Sequence, residues 1–461
     1  MKEKKDKGLV RFMVPLVLGN MLNPLNSTML ATAIVTICGA FGKDLGSGAL
    51  LIIPLYFTSA IGQPLMGRLA DLFSARRVNT AGYLLILVSA LIGIYALNFN
   101  WLIVSRVLLG LGTSAAYPSS IKLIRQRFDA QQMETPGAVL GAIAVAGQAS
   151  MALGPFLGGL LTQQFGWKGI FFINIPLTLI ALVLSAIEKS GSRQPGTDPL
   201  SFRKKWQLLD PTGILLFGTC LLLFLHAMLY HGGLPVKIVL GIVLLIIFVK
   251  WEMKHSSPFI DVRLLQSNIL LNTTFIRQVA VTFVLYTVLY GMPQWMEQSL
   301  RIAPSTVGLI MLPQSLAAIG MSLLVAKSKK IVSLLTIGTI SITLASSGLF
   351  LLSAASPTGS IIVVSILIGI ALGILTIANQ GTLYQEAPPD KTGVSFGLYR
   401  TVSYFGAIIS GTALKSQYST GATDPAFHIL ARYAVIACGI IVIFLLPTLR
   451  LNRVKKKTIT I

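Results

Sequence analysis

Runs of about twenty apolar residues recur along nearly the whole chain, and a run of that length spans a bilayer as a helix. About fourteen can be placed, centred near Leu22, Phe57, Ile86, Leu109, Ala146, Leu177, Leu221, Ile242, Val284, Leu316, Ile340, Ile368, Ala407 and Ile440. Short polar or Gly/Pro-marked joints separate them. Of 461 residues, 54% are hydrophobic and 11% charged, with a mean hydropathy of +0.77. A soluble protein is about one quarter charged, so a water-soluble enzyme is excluded. The longest polar stretch, Glu188 to Gln207, contains Gly191, Pro195, Gly196 and Pro199 and reads as a linker. The expected architecture is therefore an all-α integral membrane protein of about fourteen crossings. Residues 1–187 would form one six-helix bundle and 264–461 a second with a basic tail. Residues 188–263 would hold a cytoplasmic linker and an inserted helix pair. Two six-helix bundles flanking a substrate path are a common transporter plan.

Lysine and arginine number 37 against 15 acidic residues, a formal net charge of +22. In a soluble chain that excess points to nucleic acid. Here its placement points to topology. One set of joints holds Lys2, Lys4, Lys5, Lys7, Arg11, Arg68, Arg76, Arg77, Lys122, Arg125 and Arg127. The same set continues with Lys189, Arg193, Arg203, Lys204, Lys205, Lys250, Lys254, Arg263, Lys327, Lys329, Lys330, Lys391 and the tail from Arg450 to Lys457. The opposite joints hold only Lys43, Lys168, Lys237, Arg301, Lys415 and Arg432. Positive residues accumulate on the cytoplasmic side, so both termini are expected in the cytoplasm of a chain seated in the cell membrane. Trp101, Trp167 and Trp295 fall at outer helix ends, and Trp206 and Trp251 at inner ends, as an aromatic belt would. The basic start precedes an apolar segment too long for a signal peptide. The expected partners are the bilayer, including its anionic headgroups, and not nucleic acid.

Cys38, Cys220 and Cys438 lie far apart in apolar runs and read as small core hydrophobes, with no metal or disulfide pattern. No GxxxxGK[ST], HExxH, CxxC or nucleophile elbow occurs, so neither ATP drive nor enzyme chemistry nor a cofactor is expected.

Between the second and third helices the chain reads Gly67-Arg68-Leu69-Ala70-Asp71-Leu72-Phe73-Ser74-Ala75-Arg76-Arg77. One acid among basic residues in a short turn can lock two helix ends by charge-assisted hydrogen bonds. Gly67 would allow close helix approach. The segment resembles the loop signature of the major facilitator superfamily at Gly67, Leu69, Ala70, Asp71 and Arg76. It departs at Leu72, Ser74 and Ala75, where that family has arginine, glycine and a basic residue. The resemblance implies a gating role for Gly67, Asp71 and Arg76, with Arg77 replacing the charge missing at Ala75.

The fourth helix carries Arg106 ahead of Gly110-Leu111-Gly112. A charge within a membrane helix is a functional candidate by default, and this stretch is similar to the family motif whose arginine is implicated in proton coupling. The alternative is an arginine snorkelling to the interface beside Trp101. The fifth helix carries Gly154-Pro155-Phe156-Leu157-Gly158-Gly159, glycines that let backbones touch and a proline that bends the helix. This run resembles the motif of the family's exporters that exchange substrate for protons. Gly166 to Pro176 is similar to the start of the sixth helix in the same proteins.

Leu25-Asn26-Ser27-Thr28 through Ile34 resembles the first-helix motif of the fourteen-helix drug:proton antiporters, with Asn26 where they carry an acid. An amide does not take up and release a proton near neutrality. Asn26 and Thr28 are left as substrate-cavity candidates, with a tie between helices as the alternative for Asn26. In the second half, Pro304-Ser305-Thr306-Val307-Gly308 is similar to the family's tenth-helix start. Arg277 and Arg400 are further cavity candidates, and Arg277 could instead snorkel to the inner surface.

The resemblance implies the major facilitator fold, alternating access, and export of small amphipathic, drug-like compounds in exchange for protons by a monomer. Within transport, the alternative is export of an anionic or neutral metabolite with weak proton coupling, because Arg106, Arg277 and Arg400 outnumber deep acids. From another class, a non-transporting membrane sensor or scaffold is the alternative, and the lack of a soluble output domain counts against it.

Overall fold

The structure, a computed structural model, describes residues 2–187, 202–230, 234–328, 330–388 and 391–459. In chain order it runs α1 (Lys2–Met29), α2 (Ile34–Ala40), α3 (Ala49–Leu69), α4 (Ala75–Ile94), α5 (Phe99–Ser114), α6 (Ala116–Asp129) and α7 (Gly137–Phe165). It continues through α8 (Gly169–Phe172), α9 (Asn174–Ile187), α10 (Phe202–Leu209), α11 (Pro211–Leu229), α12 (Leu234–Lys254) and α13 (Val262–Ser267). The last helices are α14 (Ile269–Ser299), α15 (Pro304–Val325), α16 (Ile331–Gly348), α17 (Thr358–Glu386), α18 (Thr392–Gln417) and α19 (Asp424–Ile459). The described residues are helical throughout, apart from turns and joints.

Local chemistry sets the boundaries. Asn98 caps α5 by accepting the Asn100 and Trp101 N–H groups, and Asn268 caps α14 through Leu271 N–H at 3.0 Å. Asp210 caps α11, with Pro211 at the first helical position where no N–H is needed. Gly166 ends α7 at φ +65, a conformation that side chains disfavour. Proline lies inside α1, α3, α7, α14, α15 and α19, as membrane helices tolerate when neighbours satisfy the freed backbone groups.

Among the described residues, 12 helical stretches are long and apolar enough to cross a membrane, against about fourteen expected. One of them, Leu45–Ile94, runs for 50 residues and contains both α3 and α4. α18 falls outside the twelve because Arg400, Ser403, Ser410 and Lys415 dilute its apolar content. The expected linker from Glu188 lies largely outside the described residues, as do Lys189, Arg193, Asp198, Lys329 and Asp390. Its last part, Phe202 onward, is the helix α10 rather than loop.

Two compact units form. The first comprises Met1–Ser27, Pro54–Gly154 and Gln164–Ile260; the second comprises Thr28–Ile53, Pro155–Gln163 and Asp261–Ile461. In the first, α4 packs on α5, α6 and α9, and α11 pairs with α12. Gly82 and Gly112 let α4 and α5 touch at the backbone: a Cβ on Gly82 would sit 2.7 Å from Gly112 O. Leu22, Leu55, Tyr83, Ile86, Leu109 and Ala181 fill the core beside this crossing. α12 exposes Val236, Ile238, Val239, Leu240, Ile242, Val243, Leu245 and Ile246, an apolar surface on several sides that suits lipid.

In the second unit α14 is the central element, packed on α17, α18 and α19, while α15 and α16 pack on α17. Trp295 corrects its expected place in the interfacial belt. It is fully buried, stacked 4.6 Å from Phe427 with its indole N–H donated to Asp424 at 2.7 Å. Trp101, Trp206 and Trp251 are exposed. Cys38 and Cys438 are buried and Cys220 half-buried, all as free thiols.

Candidate functional site

In the first unit the α3–α4 junction widens into a π-type turn over Ala70–Ser74, a departure from regular helix that often marks function. It presents Asp71 to Lys122 of α6. The Lys122 ammonium donates to Asp71 Oδ1 at 2.9 Å and to Ala70 O at 2.7 Å. Arg76 donates instead to Ser185 O on α9 at 2.5 Å, and Arg77 is exposed. The expected close approach at Gly67 is absent: a Cβ there would meet Pro118 at an ordinary 3.6 Å. Gly82 and Gly112 are among the tight glycines of this unit, where α4 crosses α5.

Arg106 is buried on α5 with its guanidinium 5.1 Å over the Phe171 ring, a cation–π arrangement. The snorkelling alternative does not fit a side chain only 1% exposed. Asn26 is equally enclosed. Its amide donates to Asn174 Oδ1 at 2.5 Å, and the Asn174 amide donates back to Asn26 Oδ1 at 2.7 Å. This reciprocal pair ties α1 to α9. Asn26→Asp would set an acceptor against Asn174 Oδ1. Thermal unfolding of the variant should show a loss of about 1–3 kcal/mol, the cost of an unmade buried hydrogen bond. A variant as stable as the parent would show that the pair holds nothing together.

In the second unit the Gly/Pro run of α7 touches backbone. A Cβ on Gly158 would collide with Met29, 2.7 Å from its Cα, and one on Gly159 would collide with Pro304, 2.8 Å from its carbonyl carbon. Gly308 on α15 lies against Phe156 in the same way, at 2.8 Å from its Cα. Pro155 O accepts the Thr32 hydroxyl at 3.1 Å. Gly154 and Pro155 are buried, and Thr28 is fully enclosed.

Arg277 is fully buried on α14 and joins three helices. It donates to Asn379 Oδ1 of α17 at 2.6 Å, to Phe444 O of α19 at 3.3 Å and to Thr274 Oγ1 at 3.1 Å. Its full burial among α14, α17 and α19 holds the guanidinium inside the second unit, whereas the snorkel that the sequence allowed would extend it to water. Asn379 donates to Gln278 Oε1 at 3.0 Å, which also accepts the Tyr399 hydroxyl at 2.6 Å; the Gln278 amide donates to Ser403. Arg400, one residue beyond Tyr399, is half-buried. Nearby, Lys391 donates to Asp261 at 2.7 Å. Partial burial opposes ionisation of Asp261, but the Lys391 bond and the Leu264 N–H outweigh it and hold this carboxyl below the usual range.

Glycine-mediated helix contacts, polar ties inside the apolar units and a charged junction loop together describe a closely packed helical membrane protein. The family model for the Major Facilitator Superfamily matches residues 16–411. The chain belongs to the major facilitator superfamily. It is a multi-pass membrane transporter rather than an enzyme. It is 30% identical over 451 residues to the uncharacterised MFS-type transporter YwoD of Bacillus subtilis, covering 95% of this chain and 96% of that one. It is 27% identical to the riboflavin transporter RibZ of Clostridioides difficile, covering 90% and 88%. It is 26% identical to the multidrug efflux pump SdrM of Staphylococcus aureus, covering 94% and 95%. The crystal structure of the nucleoside transporter NupG shares the fold at a TM-score of 0.67 and 13% identity, covering 94% of this chain and 99% of that one.

The pairings of Lys122 with Asp71 and of Asn174 with Asn26, and the Gln278–Asn379–Tyr399 network of this major facilitator protein, escaped the sequence reading. An amide inside an apolar run, as at Asn379, was the available signal. Asp71→Asn should change thermal stability by less than about 1 kcal/mol, because an exposed ion pair contributes little. The same substitution should slow substrate counterflow several-fold while equilibrium binding is retained. An unchanged rate would leave the Asp71–Lys122 pair a surface charge and nothing more.

Proposed function

We propose that the protein exports small amphipathic, drug-like compounds in exchange for protons, by alternating access, as a monomer of the fourteen-helix drug:proton antiporter branch in the cell membrane. The observation that carries this reading is the exporter-type run Gly154–Gly159, whose Gly158 lies against the Met29 backbone and the Thr32 hydroxyl and whose Gly159 lies against the Pro304–Ser305 backbone. Backbones in such contact separate and rejoin without repacking side chains, which suits a gate. The efflux names among the relatives support it, SdrM above all. Fourteen crossings follow if α3 and α4, of 21 and 20 residues, each cross once and α18, of 26 residues, crosses too. Both termini then lie in the cytoplasm, and residues 1–187 and 264–461 act as the two bundles, with the inserted pair within 188–263 between them in sequence. In this reading Asp71, Arg76 and Arg77 gate with Gly67, Arg106 serves proton coupling, and Thr28 and Arg400 border the substrate path.

A second reading is favoured by one observation. The first-helix position that carries an acid in cation exporters holds Asn26, neutral and paired with Asn174. Export of a neutral or anionic metabolite needs no carboxylate there. Counterflow in proteoliposomes against ethidium and against neutral and anionic compounds decides between them. Ethidium exchange supports the first reading, and exchange confined to neutral or anionic compounds supports the second. Movement of none would return the scaffold alternative.

A further inference from the structure

The inserted pair α11–α12 meets the α3 end through one buried charged assembly. Asp210 is 1% exposed and fully engaged. Its Oδ1 accepts Gly213 N–H at 3.0 Å and the Trp251 indole N–H at 2.8 Å, and its Oδ2 accepts Phe259 N–H at 3.0 Å. His255 Nδ1 lies 3.9 Å from that second oxygen. Glu252, one helix away on α12, is 0% exposed. Its Oε2 accepts Ile260 N–H at 3.1 Å, while its Oε1 has no partner.

Gly213 shows how near the two carboxyls are. A Cβ there would run into both Asp210 Oδ2 and Glu252 Oε1. The cation of the assembly, Arg68, does not neutralise either of them by contact. It donates to Leu208 O at 3.0 Å, to Ser257 O at 3.1 Å and to Pro258 O, with its guanidinium 5.8 Å over the Phe259 ring. Asp71 acts on Arg68 as a further charge. The groups that face Glu252 are therefore Asp210, Arg68 and, behind Asp210, His255.

A buried charge is costly unless paired and hydrogen-bonded, and two neighbouring carboxylates do not both ionise cheaply. Asp210 accepts three N–H donors, from Gly213, Trp251 and Phe259. Glu252 has the Ile260 N–H, a weaker pull from the Phe259 N–H that Asp210 holds, a carboxylate neighbour and an oxygen with no hydrogen-bond partner. We propose that Glu252 Oε1 is a proton-binding site, and that its occupancy couples the inserted helix pair to the loop signature through Arg68. Uptake forms an O–H bond on Oε1 and leaves a neutral acid, which matches the conformation described. Release leaves a carboxylate that draws Arg68 away from the three carbonyls and frees the segment Ser257–Pro258 from α3. The inserted pair then reports proton occupancy to the loop beside Asp71. Use of this site in antiport rests on the exporter reading; proton binding by Glu252 does not.

The test is infrared pH-difference spectroscopy on the purified full-length protein. A protonated-carboxyl C=O band should titrate in the parent, shift when glutamate is carbon-13 labelled, and vanish in Glu252→Gln. Glutamine keeps an acceptor for Ile260 N–H, so the variant should fold; if it does not, the labelled parent still decides whether a glutamate titrates. No titrating glutamate band, or a band unchanged in Glu252→Gln, overturns the proposal. In proteoliposomes that show counterflow, Glu252→Gln should flatten the pH dependence of the rate, and an unaltered profile would deny the coupling to transport. A band lost in Glu252→Gln together with no flux of any compound upholds the proton site and sinks the exporter reading instead.

Discussion

Gly158→Leu should stop exchange while leaving the protein in the membrane. The position has no room even for a Cβ, because Met29 backbone and the Thr32 hydroxyl occupy it. A side chain in contact with backbone is not accommodated by a rotamer change, so α7 and the Met29 segment must move apart. Overpacking of about 3 kcal/mol lowers the population of the closed contact roughly a hundredfold. A cycle that must pass through that contact slows in proportion. Gly159→Leu should behave alike through Pro304, and Gly141→Leu, where nothing lies within 4 Å of an added Cβ, should not. Counterflow rates for the three variants check this. Full exchange by Gly158→Leu would remove the physical basis of the exporter motif.

Arg277→Ala should be the most destabilising single change in the second unit. It deletes bonds to Asn379, Thr274 and Phe444 O that join α14, α17 and α19 in a fully buried place. Bonds to charged groups contribute about 1.5–3 kcal/mol each, and the orphaned Asn379 oxygen adds its own desolvation penalty. A loss of about 3–5 kcal/mol is expected in thermal or denaturant unfolding, as for other broken buried charge networks. Arg277→Lys should recover only part, because a single ammonium does not reproduce a planar fork reaching three acceptors. An alanine variant with parental stability and altered substrate preference would instead place Arg277 against the substrate.

The membrane character, the helix centres and the all-α class were legible because each depends on local composition over about twenty residues. The Gly158–Gly159 contact was legible in kind, since paired small residues announce close packing, but not in partner: Met29 and Pro304 are over a hundred residues away. Asn26 showed the limit. Its departure from the antiporter motif was visible, whereas the Asn174 amide that answers it depends on how α9 folds back on α1. Trp295 was misplaced because a tryptophan at a helix end reads as interfacial until Asp424 and Phe427 are seen to enclose it. Glu252 was hidden for a related reason. It sits beside Lys250 and Lys254 in sequence and looks like part of a solvated helix end. Only the return of Ile260 over it, and the approach of Gly213 and Arg68, make it a buried acid.

Under the proposed function, substrate export is driven by proton entry. The most direct measurement imposes a pH gradient on proteoliposomes and follows compound and protons together, using whichever members of the cationic, neutral and anionic panel show counterflow. The expected result is movement of that compound against its own gradient, with protons flowing the opposite way, and loss of both when a protonophore collapses the gradient. Compound that moves only downhill, at a rate indifferent to the imposed gradient and with no proton movement, would contradict proton-driven export.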